Sequence, residues 1–196
     1  MRARLFLFLA LSLSITLFSA CNYGPFDSGR MDALRARTAY VDLAKKLTTH
    51  DELFFFEELR ASLIMDVLNM TPDLLTAARL RWTDDQAFSQ ALSQWLPQGQ
   101  GRVVFVGIYA RDFKVSEFLE TKSYRVRLKS GGVLIDPDHF QEVKEPLLSN
   151  YLPVFNQWEK VFAVHFPVPP SRDSSLVVDF PSGTRELLLK DDTLRN

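Results

Sequence analysis

Residues 124–135 read YRVRLKSGGVLI. Tyr124, Val126 and Leu128 alternate with Arg125, Arg127 and Lys129, the period-two pattern of a strand with one buried and one solvated face. Gly131-Gly132 then turns the chain into Val133-Leu134-Ile135, as in a hairpin. Working outward, residues 102–111 (RVVFVGIYAR) carry apolar side chains on both faces, which predicts a strand covered on both sides. Val161–Phe166 alternates again, with Phe162, Val164 and Phe166 on one face. Leu176–Phe180 and Arg185–Leu189 flank Pro181-Ser182-Gly183, the spacing of a closing hairpin.

Six strands with turn signals between them point to an antiparallel β-sandwich of immunoglobulin-like or related type over residues 98–196. Residues 136–158 fit this scheme poorly. They hold Pro137, Pro146 and Pro153, and read as a long excursion with a helical turn.

Residues 30–97 read differently. Ala33, Ala36, Tyr40, Leu43 and Leu47 recur at spacings of three and four, a narrow helical seam over Met31–Leu47. A second helix is expected from His50 to Met70. Thr49 and Glu52 fit a capping box there, and Phe56, Leu59, Leu63, Val67 and Met70 supply the stripe. Thr71-Pro72 starts a third helix through Leu74, Leu75 and Ala78. Thr83 with Gln86 starts a fourth, with Phe88, Ala91, Leu92, Trp95 and Leu96 on its apolar side, and Pro97 and Gly99 stop it. The fold class is therefore expected to be α+β: a helical segment, then the sandwich. Phe54-Phe55-Phe56 on a helix would span about 200° of its circumference. Such a helix is either buried on both sides or offers one ring to a partner or a membrane.

The 196 residues carry 23 basic and 24 acidic side chains, for a net charge of −1. No basic excess is present to coat nucleic acid, and no nucleic-acid partner is expected. One cysteine excludes an intramolecular disulfide and a multi-cysteine zinc site.

That cysteine stands at the end of MRARLFLFLALSLSITLFSAC. Arg2 and Arg4 precede an apolar run from Leu5 to Phe18, and small Ser19 and Ala20 follow. Basic, apolar, small is the order of a secretory signal. As a helix the run would be about 21 Å long, short of a hydrocarbon core of about 30 Å. Residues 17–21 (LFSAC) resemble the lipobox of bacterial lipoprotein precursors, with Phe18 standing where that family usually has Leu. The resemblance covers residues 1–21 only. It implies cleavage before Cys21, acylation of that residue, and attachment to membrane lipid. Asn22 is not the Asp that retains lipoproteins at an inner membrane, so an outer-membrane destination facing the periplasm is implied. The expected organisation is a signal peptide (1–20), a lipidated tether (21–29), a helical segment (30–97) and a β-sandwich domain (98–196). A retained signal anchor, with Phe54–Phe56 packed on another membrane protein, is a further reading.

Catalytic patterns are sparse. No G-x-S-x-G elbow, phosphate loop or dinucleotide fingerprint occurs, and no cofactor is expected. His50 falls at an expected helix start and reads as solvated. His165 shares a strand face with Val161 and Ala163 and reads as structural. Asp136-Pro137-Asp138-His139 with Glu142 gathers carboxylates and an imidazole, a set able to hold a divalent cation or transfer protons. Asp-Pro-Asp is also ordinary turn chemistry. Arg125, Arg127 and Lys129 read as a solvated strand face, or as a row for anionic headgroups. Trp158, Phe155 and Phe162 read as core, or as the lining of a groove. The expected function is a lipid-anchored, non-catalytic binding or scaffold module with an envelope protein partner. The alternative is an envelope enzyme or metal-binding protein using Asp136, Asp138 and His139.

Overall fold

A computed structural model describes residues 28–55, 61–96, 101–110, 125–169, 173–180 and 183–191. Residues 36–196 form one compact unit. The described part of residues 1–35 is the start of helix α1, Ser28–Leu47. Two antiparallel sheets dominate. The first has five strands: β1 (Thr48–Phe55), β2 (Ala61–Asn69), β3 (Arg102–Ala110), β6 (His139–Val143) and β7 (Lys160–Phe166), in the order β1-β2-β3-β7-β6. The second has four: β4 (Arg125–Ser130), β5 (Val133–Ile135), β8 (Ser175–Phe180) and β9 (Gly183–Leu188), in the order β5-β4-β8-β9.

The expected alternation in β4 holds. Val126 and Leu128 are buried, while Arg125, Arg127 and Lys129 point outward. Gly131 and Gly132 both have positive φ (57° and 82°) and join Ser130 to its partner Val133. Two consecutive positive φ angles match the right-handed strand twist of a tight hairpin, and glycine adopts them without a Cβ clash.

Thr48–Phe55 and Ala61–Asn69 correct the expected second helix. They form the β1–β2 pair, with His50 opposite Asp66 and Glu52 opposite Ile64. The run Leu63–Met70 is apolar on both faces, so its helical stripe is equally the signature of a doubly covered strand. Pairing with β3 on the far side, Leu63 opposite Ala110 through Asn69 opposite Val104, decides for the strand. Thr49 is consequently not a helix cap, and its hydroxyl donates to the Leu188 carbonyl at 3.0 Å. Phe54 and Phe55 belong to β1. Their side chains and Phe56 lie outside the described residues.

The other helices follow the sequence more closely. In α2 (Pro72–Arg81), Thr71 Oγ1 accepts from Leu74 N at 3.2 Å and proline opens the first turn. In α3 (Gln86–Trp95) the cap is Asp85, whose Oδ1 accepts from Phe88 N at 3.1 Å. Thr83, the expected cap, donates its hydroxyl back to Arg79 and Leu80 carbonyls. The excursion of 136–158 contains β6 and a short helix α4 (Leu147–Tyr151). Among the described residues no helix is long and apolar enough to cross a membrane.

Two cores result. Tyr40, Ala44, Leu74, Phe88, Trp95 and Tyr151 from the helices meet Leu68, Val103, Phe105 and Ala163 of the five-stranded sheet. Met65, Val67, Val104, Val106, Phe162 and Val164 on its other face meet Val126, Leu128, Leu176 and Val178 of the four-stranded sheet. Strand β3 feeds both, which is why its sequence is apolar at successive positions. The segments expected on either side of position 98 thus share one sheet. Arg102 is buried at the end of β3, where its Nε donates to Asn69 Oδ1 at 3.0 Å. Asn69 Nδ2 in turn holds the Lys190 carbonyl, fastening the chain beyond β9 to the sheet.

Candidate functional site

Cys21 and residues 22–27 of its tether lie outside the described residues, and Ser28 and Gly29 belong to α1. The Asp136, Asp138 and His139 set is described, and its members face different partners. Asp136 receives two bonds from Arg125, 3.0 Å from Nε and 2.7 Å from Nη2. Asp138 Oδ1 lies 2.5 Å from Nδ1 of His165, whose ring is only 4% exposed. His139 and Glu142 are solvent-exposed on β6. Among the described residues no group of three histidine, cysteine or carboxylate side chains is placed to hold a metal ion. His165 is buried and paired with Asp138, as a structural histidine would be.

The row Arg125, Arg127 and Lys129 is a ladder of ion pairs, with Asp136, Asp179 and Glu186 respectively. Lys129, and then the Ser175 hydroxyl, hold the Glu186 carboxyl below its ordinary range. The three aromatics do not line one groove. Phe155 joins the helix-side core, Phe162 the core between the sheets, and Trp158 is 72% exposed.

The structure instead brings together His50, Asp66 and Glu159. His50 on β1 faces Asp66 on β2, with Nδ1 2.6 Å from Oδ1, and its Nε2 lies 3.5 Å from Glu52 Oε1. The bond to Asp66 is the main cause that raises the imidazole pKa above its ordinary value. Asp66 is registered against Gly107 on β3. With no side chain there, the ring of Phe155 and the carboxyl of Glu159 lie over the strand. Glu159 is 6% exposed and lies beside Asp66. Asn156 Nδ2 donates to its Oε1. Among the described residues, no N–H or O–H group donates to its Oε2. Burial first, and the Asp66 charge second, push the Glu159 pKa up to about 7.

Two carboxyl groups this close cannot both ionise without penalty, which favours the protonated form of buried Glu159. The arrangement is a buried acid beside Asp66, whose other neighbour is an imidazole at the surface. It can store a proton and exchange it with solvent near neutrality. Sequence reasoning passed over it because the three residues are far apart in the chain. Two signals pointed to it: Asp66 interrupts an apolar run, and Gly107 interrupts a strand, which often marks a close approach of another group.

A cleft of about 520 Å³ lies beside α2 and α3, lined by Arg79, Trp82, Phe88, Leu92 and Leu96 among others. The hydroxyls of Thr83, Ser89 and Ser93 at its wall donate to backbone carbonyls at positions 79, 80, 85 and 90. Trp82 also receives the Arg81 guanidinium over its face, 4.4 Å from the ring centre.

No protein-family model, curated protein or solved structure matches the chain.

Proposed function

We propose that the chain is a lipid-anchored cell-envelope protein that acts as a non-catalytic binding or scaffold module at a membrane surface. The observation that carries this reading is Cys21, the one cysteine of the chain, standing directly after a basic, apolar and small-residue segment. Acylation there supplies the anchor. Each buried methylene contributes about 0.8 kcal/mol, and more than one chain holds a protein stably. Asn22 favours the outer membrane, with the body facing the periplasm. The partners are membrane lipid, through acylated Cys21, and an envelope protein.

Two features support binding over the alternative of an enzyme or metal protein built on Asp136, Asp138 and His139. Asp136 and Asp138 are engaged separately while His139 is solvent-exposed, and the cleft beside α2 and α3 offers Trp82, Phe88 and Leu92 to an apolar group. We read the two sheets as the layers of a β-sandwich, supported by the core they share. The type related to the immunoglobulin fold is favoured over that fold itself, because β1, β2 and β3 are consecutive neighbours in one sheet.

Intact-mass measurement on membrane-extracted protein tests the anchor. A mass equal to residues 21–196 plus acyl chains is expected, together with loss of membrane attachment in Cys21→Ala. An unacylated chain, or unchanged attachment in Cys21→Ala, overturns it. Cross-linking in intact envelopes then tests the partner.

A further inference from the structure

The body of the protein holds a second device, independent of the anchor. We propose that Glu159, buried over Gly107 beside Asp66, is a switch that fixes the segment 152–158, and with it exposed Trp158, onto the five-stranded sheet.

The mechanical link runs through Asn156. Its Nδ2 donates to Glu159 Oε1, its carbonyl accepts from Glu159 N at 3.2 Å, and its Oδ1 accepts from Trp158 N at 2.8 Å. Phe155 N donates to the Leu152 carbonyl at 3.2 Å, closing the preceding turn. One residue thus ties the Glu159 carboxyl to the backbone that carries Trp158. Glu159 and the Phe155 ring share the space above Gly107.

The charges around the pair set the direction. From β1 come His50 and, beyond it, Glu52; from β2 comes Asp66; from β3 comes Gly107 with no side chain, and Tyr109 further along the same face. From the segment itself come Asn156 and Phe155. Strand alternation turns Lys160 away to the opposite face. Among the described residues, Asp66 and Glu159 therefore have one titrating cation beside them, His50, on the far side of Asp66. Protonated, Glu159 adds no charge beside Asp66. Loss of the Glu159 proton leaves a buried carboxylate next to Asp66. Repulsion and desolvation then favour Glu159 leaving its place above Gly107. The Asn156 bonds are lost with it, and Trp158 is released. Deprotonation of His50, whose pKa Asp66 raises, removes the neighbouring positive charge and acts in the same direction.

The test is tryptophan emission of the full-length chain in detergent from about pH 5 to about pH 9, a range spanning neutral titration. Subtraction of a Trp158→Phe variant isolates the Trp158 signal from Trp82 and Trp95. One step with a midpoint at about 7 is expected. It is to vanish in Glu159→Gln and persist in His50→Gln. A flat Trp158 signal, or a step that survives in Glu159→Gln, overturns the proposal. Carbon-13 NMR of glutamate carboxyls in the unaltered protein serves if Glu159→Gln does not fold. One glutamate titrating near neutrality supports the switch, and all of them titrating in the ordinary carboxylate range overturns it.

Discussion

Glu159 occupies the space that a side chain at position 107 would need. A Cβ on Gly107 would lie 2.5 Å from Glu159 Oε2 and 2.5 Å from Phe155 Cδ1. Gly107→Ala is therefore expected to destabilise the protein by about 1–3 kcal/mol through overpacking. Urea unfolding of the variant checks this. Gly131→Ala is the contrasting case: no atom lies within 4 Å of the added carbon, and only the positive φ of 57° is strained.

Stability should fall as pH rises toward neutrality. Glu159 binds its proton more tightly when folded, with a pKa of about 7 against 4.5. Between those values the folded state keeps a proton that the unfolded chain has lost. Stability is thus full below about pH 4.5, declines to about pH 7, and levels off above it. The decline is on the order of 3 kcal/mol. His50, also raised, adds stability that is likewise lost as pH rises through its folded pKa. Glu186 runs the other way, since its lowered pKa gives stability that is lost in acid. Urea midpoints in mildly acidic and mildly alkaline buffer measure the decline, and Glu159→Gln should flatten it.

The Tyr40 hydroxyl donates to the Tyr151 carbonyl at 2.7 Å, joining α1 to the end of α4. Both groups are buried, and burial holds the Tyr40 pKa well above the ordinary phenol value. Tyr40→Phe should lower stability by about 1 kcal/mol and leave the ring contact with Trp82 in place. Thermal unfolding with the near-ultraviolet circular dichroism of Trp82 separates the two effects.

The cations of β4 are neutralised within the sheet. The Cys21→Ala protein should therefore gain little binding to anionic vesicles from Arg125, Arg127 and Lys129. Adding Asp136→Asn, Asp179→Asn and Glu186→Gln together should unmask three charges, with salt-sensitive vesicle binding as the readout. Loss of the exposed Arg125–Asp136 pair alone should change stability by no more than about 1 kcal/mol.

Much of the β-structure was legible, because β4, β7 and the β8–β9 hairpin each carry a pattern that one buried face or one glycine turn imposes. The helix at Pro72 was legible from its cap and apolar spacing, and that at Gln86 from apolar spacing, with Asp85 rather than Thr83 as its cap. Thr48–Phe55 and Ala61–Asn69 were not. An apolar run covered on both faces has no period of its own, and only the presence of β3 alongside makes it a strand. The same reason hid the carboxyl pair. Asp66 and Glu159 become neighbours through the β2–β3–β7 register, to which no local pattern gives access. Asp136, Asp138 and His139 were close in sequence and still diverged, because strand alternation and nearby cations sent them to different partners.

The place of β2 in the first sheet bears on how the chain can be divided. Its composition changes near position 98, which invites a cut there. The seven residue pairs from Leu63–Ala110 to Asn69–Val104 run across that cut. A fragment ending at 97 would present the open edge of β2, and one starting at 98 the open edge of β3. Each would be prone to self-association until the other arrived. The two pieces should recover the native signal only on mixing, so their reassembly would be an assay of the β2–β3 seam itself.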